Sequence, residues 1–296
     1  MERLVGQLAT TAEYRNDADA ARMARAHGSR IDRLDTARRR SIVTQTVELD
    51  VIPQLLVTRR TAPGVSTGAP VVTASQVAEL VTLTLAPLEL ATSSFILAML
   101  DQGIPPEALY LDLLTPAAQR LGELWTEDEC DFTEVTIGVW RLRNAMRELS
   151  PTFLRAPASN VRNGTTAPRA LLVPLPGEQH SFGLSMVFDF FRRAGWNAWT
   201  GPLNTRGELA SMVRGQWIDV VGFSLACDER LDTARAEIRA VRAASRNPGM
   251  AVMVGGPPFI ANPALAASVG ADGTALDGLQ AVNNAHALLR RDHERR

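Results

Sequence analysis

The chain has 296 residues, is 46% apolar and 21% charged, and carries a formal net charge of −1, with every one of its 31 basic residues an arginine. That size holds two domains or one large one, and the near-zero charge gives no whole-chain drive toward nucleic acid or an anionic membrane. Two cysteines in different segments, Cys130 and Cys227, exclude a disulfide framework and a CxxC zinc site, and the absence of a transmembrane-length run or signal pattern makes the expected location cytoplasmic.

Residues 1–38 are polar and rich in Ala and Arg, and read as a flexible arm. Its arginines suit phosphate contacts, but Asp17, Asp19, Asp32 and Asp35 dilute their charge. A solvated tail and a DNA- or partner-binding arm both fit. Residues 39–150 read as a helical bundle. Ile42, Thr46, Leu49, Ile52 and Leu56 form one helical stripe, interrupted by Pro53, and residues 61–73 are a linker by composition. A helix is expected over 75–102, kinked at Pro87. Another starts at Pro105-Pro106 and carries Leu109, Leu113, Leu114, Ala117, Leu121 and Trp125. The last begins after Asp131, where Asp131-Phe-Thr-Glu134 has capping-box spacing, and buries Val135, Val139, Leu142, Met146 and Leu149. The acidic run Glu127-Asp128-Glu129 reads as a solvated helix-entry loop.

Residues 151–167 are a second linker, rich in Pro, Ala, Ser, Asn and Thr. From 168 to 296 strand and helix alternate. Strands are expected at 169–175, 197–201, 218–224, 250–254 and 272–276, and helices at 182–194, 205–216, 228–245, 261–268 and 278–291. The first helix carries its stripe on Leu184, Val187, Phe188 and Phe191; the third carries Leu231, Ala234, Ile238 and Val241. Five strands with short crossovers predict an α/β domain with a flavodoxin-like, Rossmann-type parallel sheet covered on both faces.

In such a sheet, ligands bind at the carboxyl ends of the strands. The loop after the first strand runs Pro176-Gly-Glu178-Gln-His180-Ser-Phe-Gly183. A neutral imidazole at His180 is a good transition-metal ligand, and a carboxylate at Glu178 suits the hydrogen bond that fixes its tautomer. Gly183 lacks a Cβ and leaves room at the start of the helix. A solvated loop histidine is the plainer reading of His180 alone. Two further loops carry unusual residues: Gly222-Phe-Ser224-Leu-Ala-Cys227, and Val254-Gly255-Gly256-Pro-Pro258.

This ordered triple resembles the cobalamin-binding domain of methionine synthase, methylmalonyl-CoA mutase and corrinoid carriers, which reads Asp-x-His-x-x-Gly, then Ser-x-Leu, then Gly-Gly. The resemblance covers about 168–291. It implies cobalamin as cofactor and His180 as the lower axial ligand of cobalt, displacing the dimethylbenzimidazole tail. It implies Glu178 in place of the aspartate bonded to that histidine. Gly183 and Ser224 would lie beside the tail, and Gly255-Gly256 would let the nucleotide loop approach bare backbone. Glu178 is one methylene longer than the usual Asp, and Ala226 stands where Leu is usual. A response-regulator-like sheet would carry acidic residues at the first strand end and a late lysine, and this chain has no lysine.

The segment Leu121 to Leu142 is similar to the Trp-bearing cap of light-responsive cobalamin regulators, which implies Trp125 over the upper axial position; Trp125 and Trp140 read equally well as core residues. In the MerR-type members Glu-His follows the Trp by ten and eleven residues; here Val135 and Thr136 stand there. The arm, the helix at Ser41–Pro53, the Cys-Asp-Phe segment and the C-terminal domain together resemble the AerR/PpaA antirepressor family of purple photosynthetic bacteria. That resemblance implies a non-enzymatic, light- or redox-responsive regulator of transcription that acts through a partner repressor of photosynthesis genes, with no membrane partner. A corrinoid methyl carrier of a methyltransferase system is the alternative. The upper ligand of the cobalt (adenosyl, methyl or hydroxo) is not written in the sequence.

Overall fold

The computed structural model describes residues 70–88, 90–156, 167–178, 181–201 and 205–295. The expected arm at 1–38 and the stripe at 42–56 lie outside the described residues. The described part falls within one compact unit, Val47–Arg296.

Helix α1 (Ala74–Leu85) opens on a capping box: Thr73 Oγ1 accepts from the Gln76 amide, and the Gln76 side chain accepts from the Thr73 amide at 2.8 Å. The single kinked helix expected over 75–102 is two helices. Ala86, forced out of the helical region by the proline after it, adopts φ −64°, ψ 152° and ends α1. Helix α2 (Ala91–Asp101) follows after a break.

The next stretch starts at Pro106 as expected, but contains a six-residue π-helical segment, Leu109–Leu114, before α3 (Thr115–Thr126). The wider turn suits Pro116, which has no amide to give to an α-helical bond. It also turns Tyr110 fully inward, a residue outside the expected stripe. Helix α4 (Phe132–Arg155) begins on the expected capping box, with both Asp131–Glu134 bonds at 2.8 Å. It does not stop at the expected linker boundary of 151, but runs through Pro151 to Arg155. Phe153 explains the extension: it is fully buried and stacks on Tyr110, with ring centroids 4.1 Å apart. Burying such a side chain contributes about 1.5–3 kcal/mol, comparable to the ~3 kcal/mol cost of an interior proline.

The C-terminal part is the expected sheet. Strands β1 (Arg169–Pro174), β2 (Asn197–Trp199), β3 (Val220–Ser224), β4 (Ala251–Gly255) and β5 (Gly273–Thr274) are all parallel, in the order β2-β1-β3-β4-β5. This is the flavodoxin-like order, whose switch point lies between β1 and β3. Helices α5 (Phe182–Arg193), α6 (Arg206–Gly215), α7 (Leu231–Ala244), α8 (Pro257–Ala261), α9 (Leu265–Val269) and α10 (Gly278–Arg295) connect or follow the strands. Strand residues alternate between two cores. Leu171, Val173, Val221, Phe223, Val252 and Val254 pack under α6, α7 and α9. Ala170, Leu172, Val220, Ala251 and Met253 face α5 and α10, and this core continues into the helical cap.

Helix α5 is therefore covered on two sides. Leu184 and Phe191 of its expected stripe are buried, and so is Phe190, which lies off that stripe. Phe190 meets the rings of Tyr110 and Phe153 edge-on, at 6.0 and 4.9 Å. Two polar ties accompany this contact. The buried Tyr110 hydroxyl donates to Asp189 at 2.7 Å, and Arg193 pairs with Glu107 at 3.0 Å.

Candidate functional site

The three loops singled out in the sequence leave the carboxyl ends of β1, β3 and β4. After β1 the chain makes a tight turn, in which the Glu178 amide donates to the Leu175 carbonyl at 2.7 Å. Pro176 and Gly177 are its central residues, and Gly177 has φ +86°, as a type II turn demands at that position. The Glu178 side chain is only 3% exposed and is ion-paired with Arg230, Nη1 to Oε1 at 2.6 Å. Arg230 also donates through Nη2 to the Pro176 carbonyl. Gln179 and His180 lie outside the described residues. The next residue, Ser181, accepts a hydrogen bond from Arg143 of α4 at 2.8 Å, and Gly183 lies in the first turn of α5.

Gly255 shares a strand face with Met253, and Ser224 shares one with Gly222 and Val220. Gly256 follows with φ +106°; a Cβ there would sit 2.0 Å from the Leu225 carbonyl oxygen. This close approach is locked by the Leu225 amide, which donates to the Gly255 carbonyl at 3.0 Å.

Between α5, α10 and this sheet face lies a cavity of about 640 Å³. Gly183, Ser224, Gly255 and Gly256 all line it. Its composition changes along the strand direction. Leu172, Val220, Met253, Val187 and Phe190 line the part away from the strand ends, while Ser224, Asp277 and Gln280 stand at the strand and helix termini. The cap supplies Asp112, Thr115 and Gln119. The volume lies within the roughly 300–1,000 Å³ of sites that enclose most of a drug-sized ligand. An apolar depth and a polar mouth fit an aromatic base attached to a ribose and a phosphate.

Residues 168–283 match the family model described as B12 binding domain, and residues 89–150 match a second model with the same description. Residues 89–150 and 168–283 are thus B12 binding domains. Cobalamin is the cofactor. A stretch of 92 residues, 31% of the chain, is 34% identical to an uncharacterized 20.5 kDa protein in the bchF-crtJ intergenic region of Rhodobacter capsulatus. The match spans 46% of that relative's length. The monomethylamine corrinoid protein of Methanosarcina barkeri shares the fold, with a TM-score of 0.62, 15% identity, and coverage of 73% of this chain and all of the other.

Trp125 does not line the cavity. It packs with Cys130, Phe132 and Val139 around Val135, in a small cluster of its own. The acidic run after it is drawn onto Arg120, which meets Glu123 at 2.8 Å, Glu127 at 3.1 Å and Glu129 at 3.9 Å. Burial, then the Glu229 hydrogen bond and nearby carboxylates, push the Cys227 thiol up to about 11. It is protonated at neutral pH and a poor thiolate ligand. Among the described residues no cluster of three or more metal-ligating side chains occurs, and no helix is long and apolar enough to cross a membrane.

Sequence reasoning missed Arg230, Arg143, the α10 wall at Gly278 and Ala281, and the cap residues at the cavity. Only Gly278 had a local signal, a glycine opening a helix just after the last strand. The arginines act 52 and 38 residues away from their partners, a separation that no local pattern records.

Proposed function

We propose that this B12-binding protein is a light- or redox-responsive regulator of transcription, an antirepressor that works through a partner repressor of photosynthesis genes and catalyses no reaction itself. In this reading His180 is the lower axial ligand of cobalt and Glu178 sets its orientation. Gly183, Ser224, Gly255 and Gly256 receive the tail, and Trp125 faces the upper side. Bound cobalamin supplies a visible chromophore whose cobalt–carbon bond is photolabile.

The observation that carries the proposal is the joining of cap and cavity wall. Phe190 lines the cavity on one side and packs into the Tyr110–Phe153 pair of the cap on the other. Asp189 beside it holds Tyr110. A change at the cavity is thus a change in what the cap packs against, which biases two arrangements of the cap. The relative encoded between bchF and crtJ supports the choice of regulated process. The same ties oppose the swinging cap that a methyl carrier needs.

The test is made in cells. Replacing the chromosomal copy with His180→Ala is expected to abolish the difference in photosynthesis-gene transcripts between dark and light. An unchanged dark–light ratio contradicts the regulatory reading. Methyl transfer from the purified methylcobalamin form to a partner methyltransferase would favour the carrier instead.

A further inference from the structure

The inner end of the cavity is built from apolar side chains. Leu172, Val220 and Met253 of the strands form its floor, and Val187, Phe190 and Phe191 of α5 form one wall. The polar side chains that line the cavity belong to the cap or to the strand and helix termini. The strand backbone offers nothing either, because β3 pairs with β1 and β4 along its whole length. The described residues of the inner end thus present no side-chain donor, and a methionine sulfur is only a weak acceptor.

The wall is also held in place. The Phe190 ring is fixed from three directions. Phe153 meets it at 4.9 Å and Tyr110 at 6.0 Å, and Gly278 lies so close that a Cβ there would come 2.4 Å from Cδ2 of the ring. Phe191 packs on Trp196 at 5.0 Å, and the Trp196 indole donates to His286 of α10 at 2.9 Å. Rings packed this way do not turn aside to let a polar partner in.

From this wall we infer that the cavity selects among cobamides, the corrinoids that differ only in the base of the tail. It takes a benzimidazole whose far edge is apolar, as the methyl groups of dimethylbenzimidazole are, and rejects a base that carries a hydroxyl or an amine there. Met253 and Val187 are the specificity-determining residues. The inference rests on the proposal that this cavity receives the tail. With ribose and phosphate at the polar mouth, the edge of the base remote from the ribose lies deepest. A hydroxyl or a purine amine at that edge gives up its hydrogen bonds to water and gains none. The selection therefore works by penalising the wrong base more than by gripping the right one.

The test titrates the full apoprotein with cobalamin, hydroxybenzimidazolyl cobamide and cobinamide, all in the aquo form, following the visible spectrum. Hydroxybenzimidazole binds cobalt through the same imidazole nitrogen as dimethylbenzimidazole, so the two cobamides differ at the edge that enters the cavity. A hydrophobic pocket discriminates against an added hydroxyl by about 10–100-fold, and cobalamin is expected to bind more tightly than its hydroxylated analogue by that factor. Met253→Gln keeps the side-chain length and adds a donor and an acceptor, and is expected to bring the ratio below about threefold. Val187→Thr, a smaller change from α5 across the cavity, is expected to move the ratio in the same direction. Met253→Leu is expected to leave it as in the wild type, which separates selectivity from a packing defect. Equal affinities for the two cobamides, both tighter than cobinamide, would overturn the selection while leaving the tail in the cavity. A selection undiminished in both Met253→Gln and Val187→Thr would overturn its assignment to this end of the cavity. If the wild type binds cobalamin no more tightly than cobinamide, the tail reading fails and the selection fails with it.

Discussion

Leucine at position 255 is expected to abolish tight cobalamin binding while leaving the protein folded. Gly255 ends β4 on the same face as Met253, and a Cβ there meets no protein atom within 4 Å. The added side chain therefore enters the cavity between α5 and α10, not the protein core. Forcing extra methylenes into an occupied site costs about 1–3 kcal/mol, which corresponds to roughly 10–100-fold in affinity. Cobinamide, which lacks the nucleotide tail, has nothing to place there and is expected to bind equally to wild type and Gly255→Leu. Isothermal titration with both ligands, beside a thermal melt of the apoprotein, checks the claim. Equal losses for cobalamin and cobinamide would mean that the tail does not use this cavity.

The neighbouring glycine is expected to behave in the opposite way. In Gly256→Ala the new methyl group would approach the Leu225 carbonyl oxygen to 2.0 Å, in a backbone conformation with φ +106° that L-residues avoid. The carbonyl cannot retreat, because the next hydrogen bond of the β3–β4 ladder, Leu225 amide to Gly255 carbonyl, is at 3.0 Å. Backbone strain of this kind costs about 1–3 kcal/mol, and for a domain of this size each kcal/mol is worth roughly 2–4 °C. The apoprotein Tm of Gly256→Ala is thus expected to fall by about 5–10 °C before any ligand is considered. An unchanged melt would show that the mouth of the cavity is softer than the close approach implies. Two adjacent glycines of one motif thus separate cleanly. Gly255 leaves open space in the cavity, and Gly256 allows the close backbone approach beside it.

The parallel sheet was legible because each strand is a short apolar run closed by Gly, Pro or polar residues, and because the helices between them keep one stripe each. The start of α4 was legible for a similar reason: Asp131 and Glu134 lie three residues apart and need nothing else. What escaped the sequence came from contacts across the chain. Pro87 breaks a helix that periodicity alone continues, whereas Pro151 is tolerated in one because Phe153 gains a stacked partner from the π-helical segment. Phe190 lies off the stripe expected for α5, and its ring partners Tyr110 and Phe153 come from the cap. At the site, Ser224, Gly183, Gly255 and Gly256 were legible as a spaced motif and the fold brings them to one cavity. The partner of Glu178 was not, since Arg230 reads only as one more charge in a helical run. Trp125, which the family resemblance implies over the upper axial position, packs with Cys130 and Phe132 around Val135.

The central claim is that a protein histidine replaces the tail base at cobalt, freeing the tail for the cavity. Electron paramagnetic resonance of the reduced, cob(II)alamin-loaded protein tests it most directly, using protein grown with histidine labelled with the heavy nitrogen isotope. The single axial nitrogen splits each cobalt line into a triplet when it is the ordinary isotope and into a doublet when it is the heavy one. A change from triplet to doublet on labelling, lost again in His180→Ala, is the predicted result. A triplet that persists in the labelled protein would mean that the tail base still holds the cobalt, and would contradict the account.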